Sequence, residues 1–219
     1  MVLGLEFAPA ALEWLGFTKL RRFLSSLTIG IIVLGVTLST LHQSSLGAFF
    51  LVTPGKLHPL WYSPFLPVFF FVSSICGGIG MVVVESALSH RAFHDQLDPA
   101  APVDLPGITL SLAKGGAVVL FTYFFVKLQG LTASGRWDLL ATGWGAWYLV
   151  EMLGFVLLPS LLFAVAGRRS NVALARAAGV ITVLGVLLNR FNVSLIAFNW
   201  TAPHRYVPSA TEVLISLTI

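Results

Sequence analysis

The stretch Pro64 to Leu88, PFLPVFFFVSSICGGIGMVVVESAL, decides the fold. It carries no charged side chain before Glu85, and at about 1.5 Å of rise per residue it is long enough to cross roughly 30 Å of hydrocarbon as one helix. Four more runs read the same way: Leu24–Leu51, Pro106–Gln129, Leu139–Ala166 and Val172–Trp200. The composition agrees. Hydrophobic residues make up 57% of the 219 residues and charged ones 10%, and the mean hydropathy is +0.89, which excludes a soluble domain of any size. The expected fold is all-α, a polytopic transmembrane helix bundle with five full spans and truncated helices at both ends. Residues 1–219 are expected to form a single transmembrane domain, an incomplete part of a longer family member. Met1–Leu12 is apolar but too short to span and lacks the basic leader of a signal peptide, so it reads as the tail of an upstream helix. Ser209–Ile219 reads as the start of a further one.

Charge sets the orientation. Lys19, Arg21, Arg22, Arg91, Arg168 and Arg169, with Arg176 just inside the fifth run, lie on one side, here side A; Lys56, Arg136 and Arg205 lie on side B. Short loops rich in Lys and Arg stay in the cytoplasm, so side A is predicted to be cytoplasmic. The net charge of +4 is therefore a matter of topology and does not point to nucleic acid. Trp61, Tyr62, Trp137, Trp200 and Tyr206 collect on side B, as an interfacial aromatic belt does. Cys76 is the only cysteine and sits among small residues, which suits close helix packing. His90 and His94 have the i, i+4 spacing of metal ligands but no third ligand, so no metal site is expected. Gly77-Gly78-Ile79-Gly80 follows no strand and is not a nucleotide loop.

Polar side chains inside the spans are the functional candidates, because an ionisable group near the centre of a membrane helix costs about 2.5–3.5 kcal/mol on insertion scales. His42 should lie about 13 Å from the side B end of its span, Arg190 about 15 Å and Glu151 about 18 Å, which puts an imidazole, a guanidinium and a carboxyl at similar depth. Gln43 adjoins His42, Asn189 and Asn192 flank Arg190, and Trp147 and Tyr148 lie near Glu151. Flat apolar walls with hydrogen-bonding groups are what a quinone ring with two carbonyl oxygens requires. In that reading His42 and Glu151 transfer protons, and His42, Gln43, Arg190, Asn189, Asn192, Trp147 and Tyr148 hold the ring. Toward side A, Glu85 and Lys114 form a candidate proton entrance. The plainer readings stand beside these: His42 and Gln43 as interhelical glue, Glu151 with Arg190 as a structural ion pair, Lys114 as a snorkelling lysine and Glu85 as interfacial. Haem is not expected, since only His42 lies well inside a span and ligation by two histidines needs a facing partner.

Leu38-Ser39-Thr40-Leu41-His42-Gln43-Ser44-Ser45-Leu46-Gly47, Lys56-Leu57-His58-Pro59-Leu60-Trp61-Tyr62-Ser63-Pro64-Phe65-Leu66-Pro67 and Asn189-Arg190-Phe191-Asn192-Val193-Ser194 resemble the NrfD/polysulfide reductase membrane-subunit family. The resemblance is strongest to the "cytochrome b" membrane subunits of nickel-iron hydrogenase 2. It implies a multi-pass protein of the bacterial inner membrane, without haem despite that name. Such a protein exchanges electrons between the quinone pool, menaquinone or ubiquinone, and a ferredoxin-like iron–sulfur subunit on the non-cytoplasmic face, with nickel-iron hydrogenase subunits beyond it. It also implies a quinone-reactive subunit of a multisubunit oxidoreductase rather than an enzyme alone, and a chain matching the middle and later part of longer family members. Two other classes remain open: a transporter or permease fragment with a midplane Glu/Arg solute site, and a plain membrane anchor.

Overall fold

The computed structural model describes residues 18–93, 104–202 and 209–218. Met1–Leu12, His94, Arg205 and Tyr206 lie outside them. Helix α1 runs Thr18–Phe49 and tightens into a 3₁₀ turn, Phe50–Val52; α2 is Leu66–Ala92 and α3 is Leu105–Ser134. A 3₁₀ turn at Trp137–Ala141 leads into α4, Gly143–Leu149, which passes through a π-helical segment, Val150–Leu157, into α5, Leu158–Arg169. Helix α6, Val172–Phe191, ends in a second π segment, Asn192–Ile196, and α7 is Ala210–Thr218. Five of these stretches are long and apolar enough to cross a membrane: Leu27–Val52, Leu66–Ala92, Leu105–Ser134, Gly143–Arg169 and Val172–Ile196. The all-α polytopic bundle is the one the sequence predicts, with the second, third and fourth spans running three to five residues past their predicted ends.

Local signals account for the boundaries. Asp104 accepts a hydrogen bond from Gly107 N (2.9 Å) and Asn171 one from Leu174 N (3.0 Å), so each helix start is capped by a short polar side chain. Helix α3 stops at Gly135, whose φ of 63° is a left-handed conformation that glycine adopts without strain.

Helices α2, α3, α4–α5 and α6 close a ring in which α2 packs on α3 and α6, and α5 packs on α3 and α6; α1 lies outside it, against α2. At the α2–α6 seam a β-carbon on Gly80 would come within 3.1 Å of the Gly179 carbonyl oxygen, so these backbones meet almost directly. The side A half of the ring is filled by Val83, Ala113, Phe163, Ala166, Ala175 and Ala178, all fully buried. On side B the connection between α1 and α2 folds over the end of the ring. His58 N donates to Ala197 O (2.9 Å) and Asn199 N to Lys56 O (2.7 Å), fastening the loop to the chain that leaves α6. That fastening sends Trp61 down into the bundle, where it is 4% exposed.

Candidate functional site

Glu151 sits on the π segment of the fourth span and is 1% exposed. The π geometry follows from Pro159, which has no N–H for the carbonyl of Phe155 four residues earlier. The freed Phe155 oxygen rests on Gly185 of α6, where a β-carbon would come within 2.7 Å of it. The widened turn sets Glu151 facing α3 and α6, and the second π segment does the same for Asn192: Ala197 N donates five residues back, to Asn192 O, at 2.7 Å.

The Glu151 carboxylate accepts four hydrogen bonds from three separate parts of the chain. Lys127 Nζ of α3 donates to Oε1 at 2.5 Å and Asn189 Nδ2 of α6 to the same oxygen at 2.7 Å. Trp61 Nε1 donates to Oε2 at 2.8 Å and Asn192 Nδ2 at 2.5 Å. An ionised carboxylate has about four acceptor positions, and all are filled. Lys127 is itself 4% exposed and lies over the rings of Tyr148 and Tyr123, 5.3 and 5.6 Å from their centroids. Its charge is thus shared between one carboxylate and two aromatic faces.

Two chains of polar contact leave this hub, each through an asparagine whose N–H₂ faces Glu151 and whose oxygen accepts from elsewhere. Through Asn189 the hub reaches Arg190, whose Nη1 donates to Asn189 Oδ1 (3.1 Å). Arg190 Nη2 lies within hydrogen-bonding distance of Ser73 Oγ (2.9 Å), Gln43 Oε1 and Phe70 O (both 3.3 Å), and its guanidinium stacks 3.8 Å above the Phe70 ring. Through Asn192 the hub reaches Trp147, whose Nε1 donates to Asn192 Oδ1 at 3.0 Å. Trp147 is partly exposed and walls a groove of about 340 Å³ together with Gly143, Trp144 and Ile196. Behind Trp144 the ring of His58 stacks 4.9 Å away at 28°, with Trp61 and Trp200 edge-on to it. Leu60 N donates to His58 Nδ1 (3.3 Å), and burial pushes the His58 pKa below its ordinary value of 6.5.

Of the residues singled out in the sequence, Glu151, Asn189, Asn192, Arg190, Gln43, Trp147 and Tyr148 belong to this one connected assembly. His42 does not. It lies on the exposed face of α1, one residue from Gln43, which turns inward; the expected meeting of imidazole, guanidinium and carboxyl at one centre is replaced by lysine, carboxyl and two amides, with Arg190 one step away. Glu151 does not pair directly with Arg190. Glu85 and Lys114 are both exposed: Glu85 lines a side A groove with Ser86, Ser89 and His90, while the Lys114 stem lies against Gly167. Sequence reasoning missed Lys127, Trp61 and His58. Lys127 carried the same signal as the other ionisable residues once α3 is allowed to run to Ser134.

The described histidines do not face one another. His58 is enclosed by tryptophan rings, His42 faces outward from α1, and His90 lies at the opposite end of α2. No group of three or more His, Cys, Asp and Glu is placed to hold a metal among the described residues.

A helical membrane bundle with a desolvated ion-pair hub under one face, and an aromatic groove beside it, defines the class of protein. The chain belongs to the NrfD polysulphide reductase family, whose pattern it matches over residues 2–200. It is 50% identical over 220 aligned residues to a protein of Nitratidesulfovibrio vulgaris strain Hildenborough, covering 100% of this chain and 57% of that one. It is 29% identical over 219 residues to the Escherichia coli K12 protein named "Probable Ni/Fe-hydrogenase 2 b-type cytochrome subunit", covering 99% of this chain and 54% of the relative. The chain thus spans a little over half the length of these relatives. No solved structure matches it.

Proposed function

We propose that this chain is the quinone-reactive part of a membrane subunit in a hydrogenase-linked respiratory oxidoreductase of the bacterial inner membrane. The observation that carries the reading is the Glu151–Asn192–Trp147 line, a fully buried carboxylate tied by one amide to the aromatic wall of a groove open at the bundle surface. A flat ring entering from lipid would lie against Trp144 and Trp147, with its oxygens toward the Asn192 side. Reduction to the quinol takes up two electrons and two protons. Electrons arrive one at a time from a ferredoxin-like iron–sulfur subunit docked on side B, supplied in turn by nickel-iron hydrogenase subunits, and Glu151 is the group through which protons pass.

Charge supports this assignment. Lys127 and Arg190 bring two positive charges against the single negative charge of Glu151, and the surplus favours electron density developing on a quinone oxygen as it is reduced. Asn189 and Asn192 hold the carboxylate, Tyr148 backs Lys127, and Gln43 holds Arg190. In this reading His42 acts from the outer face of α1, and Glu85 and Lys114 serve proton entry only from outside the ring. Transport is disfavoured by size: the void next to Glu151 measures about 10 Å³, room for about one water and not for a solute.

The test is hydrogen-dependent reduction of a soluble quinone analogue by the purified full complex. Glu151→Gln should lower kcat at least tenfold, and Trp147→Leu should raise KM with a smaller effect on kcat. Turnover unchanged in Glu151→Gln, with the complex intact, would end the proposal.

A further inference from the structure

On side A the outward face of the α3–α5 seam combines two cations with a strip of apolar side chains. Ser160 Oγ donates to Ala117 O (3.0 Å) and Phe163 packs against Gly116, which fixes the register of the two antiparallel helices. Further toward side A, Gly167 has no side chain, and the methylenes of Lys114 lie where one would be: a β-carbon there would come within 2.9 Å of Lys114 Cγ and 3.7 Å of its Cε. The stem therefore crosses from α3 onto α5 and holds the ammonium on the side where Arg168 is the next residue. Both cations are exposed. Below them each helix carries one stripe at i, i+4, i+7 spacing, Lys114, Val118 and Phe121 on α3 and Leu161, Val165 and Arg168 on α5, with the cation at the side A end and two apolar side chains toward the midplane. Val118 is 67% exposed, Leu161 50%, Phe121 45% and Val165 37%.

We infer that this seam binds one anionic phospholipid of the side A leaflet, with its phosphodiester between Lys114 and Arg168 and an acyl chain along the two apolar stripes. The depth is right. From Lys114 to Ser134, the side B end of α3, is about 30 Å at about 1.5 Å per residue, one hydrocarbon thickness, so the ammonium stands at the level of the side A phosphates. The charges are complementary. A guanidinium fork grips a phosphate through two N–H groups and an ammonium adds a point charge beside it. The described acids of side A stand elsewhere: Glu85 lines a groove on α2, and Asp104 caps the first turn of α3. Two cations against one phosphodiester leave a positive surplus, which selects a headgroup without a cation of its own, such as glycerol, over choline, whose ammonium is repelled. Arg169 and Arg176, both exposed, extend the positive surface around the α5–α6 turn and strengthen that selection.

The lipid site is independent of the quinone reading, and its test measures no turnover. The purified full complex is placed in phosphatidylcholine vesicles doped with a phospholipid that carries a photoreactive diazirine on its acyl chain, and the adducts are mapped by peptide mass spectrometry. A phosphatidylglycerol probe should label the peptides holding Val118 and Phe121 or Leu161 and Val165 about tenfold more than a phosphatidylcholine probe with the same chains. Lys114→Met combined with Arg168→Gln should bring the phosphatidylglycerol signal down to the phosphatidylcholine level, whereas Arg91→Gln, at the end of α2, should leave it unchanged. Excess inorganic phosphate should not displace the probe, because the acyl chain holds it as well. Equal labelling by the two probes in the unaltered complex overturns the site, and that comparison decides even where the double variant fails to assemble. Full labelling in an assembled double variant, an equal fall in Arg91→Gln, or displacement by phosphate alone also overturns it.

Discussion

The two halves of the helical ring are built from the same four spans and solve opposite problems. The side A half is filled by alanines, one phenylalanine and a valine around the Gly80–Gly179 approach, so its stability comes from close backbone packing, which is what holds helices together where lipid offers no hydrophobic contrast. The side B half gives up that closeness. Two of its spans widen into π segments, and the space is filled by Lys127, Glu151, Asn189, Asn192 and the indole of Trp61. A membrane protein keeps charges in such a place only when each supports the others, and the four-donor carboxylate meets that condition. The contrast separates scaffold from site within single helices.

The sharpest way to break the contrast is to leave one charge of the hub without its partner. Lys127→Met keeps most of the volume, removes the cation from Glu151, and should destabilise the purified protein by about 3–5 kcal/mol in denaturant unfolding. Adding Glu151→Gln should restore more than half of that loss, because the pair is then replaced by neutral groups. Equal destabilisation in the single and double variants would mean that packing, not charge, dominates the hub.

Next in size is the junction between the halves. Gly185→Ala places a methyl group 2.7 Å from the Phe155 oxygen that Pro159 leaves free, and should cost about 1–3 kcal/mol as the π segment shifts. The same change at Gly30, where nothing lies within 4 Å, should fall within about 0.5 kcal/mol. Arg190→Lys comes third: a lysine cannot reproduce the planar fork that serves Asn189 and Ser73 while stacked on Phe70, and a loss of about 1–2 kcal/mol is expected by the same unfolding assay.

At the side B end, buried among tryptophan rings, His58 provides a pH handle. Its pKa is lowered by burial from 6.5, so the folded state holds the proton more weakly than the unfolded chain does. Stability is complete above pH 6.5, falls as the pH drops below that value, and levels off once the folded-state pKa is passed. The unfolding midpoint of the parent protein should therefore fall as the pH drops below 6.5, and His58→Phe should flatten that part of the profile. An unchanged slope would assign the pH dependence to other groups.

Much of this is legible in the sequence, for reasons that differ by residue. The spans are plain because composition alone demands lipid. Glu151, Asn189, Arg190 and Asn192 stand out because polar groups in apolar runs are conspicuous. Lys127 was hidden by a boundary: a third span ending at Gln129 puts it at the rim, whereas a helix reaching Ser134 puts it two turns inside. His42 was misplaced by rotation. Neighbours on a helix differ by about 100° in direction, so only one of His42 and Gln43 can face the ring, and the polar residues between Thr37 and Ser45 surround α1 there, so the pattern does not say which. Trp61 looked like belt because a tryptophan anchored at the interface and one folded inward from a loop share the same local sequence.

The smallest effect belongs to the side A surface. Lys114 is exposed, and its stem lies along α5, where a β-carbon on Gly167 would come within 2.9 Å of its γ-carbon. This contact is apolar, so the charge contributes little and the methylenes contribute the packing. Lys114→Met should leave stability within about 0.5 kcal/mol, and Lys114→Ala should lose a few tenths more by uncovering Gly167. Neither should alter quinone reduction in the full complex if protons reach Glu151 without help from this lysine. A marked fall in turnover for Lys114→Met, with stability unchanged, would instead give the scaffold half of the ring a part in the chemistry.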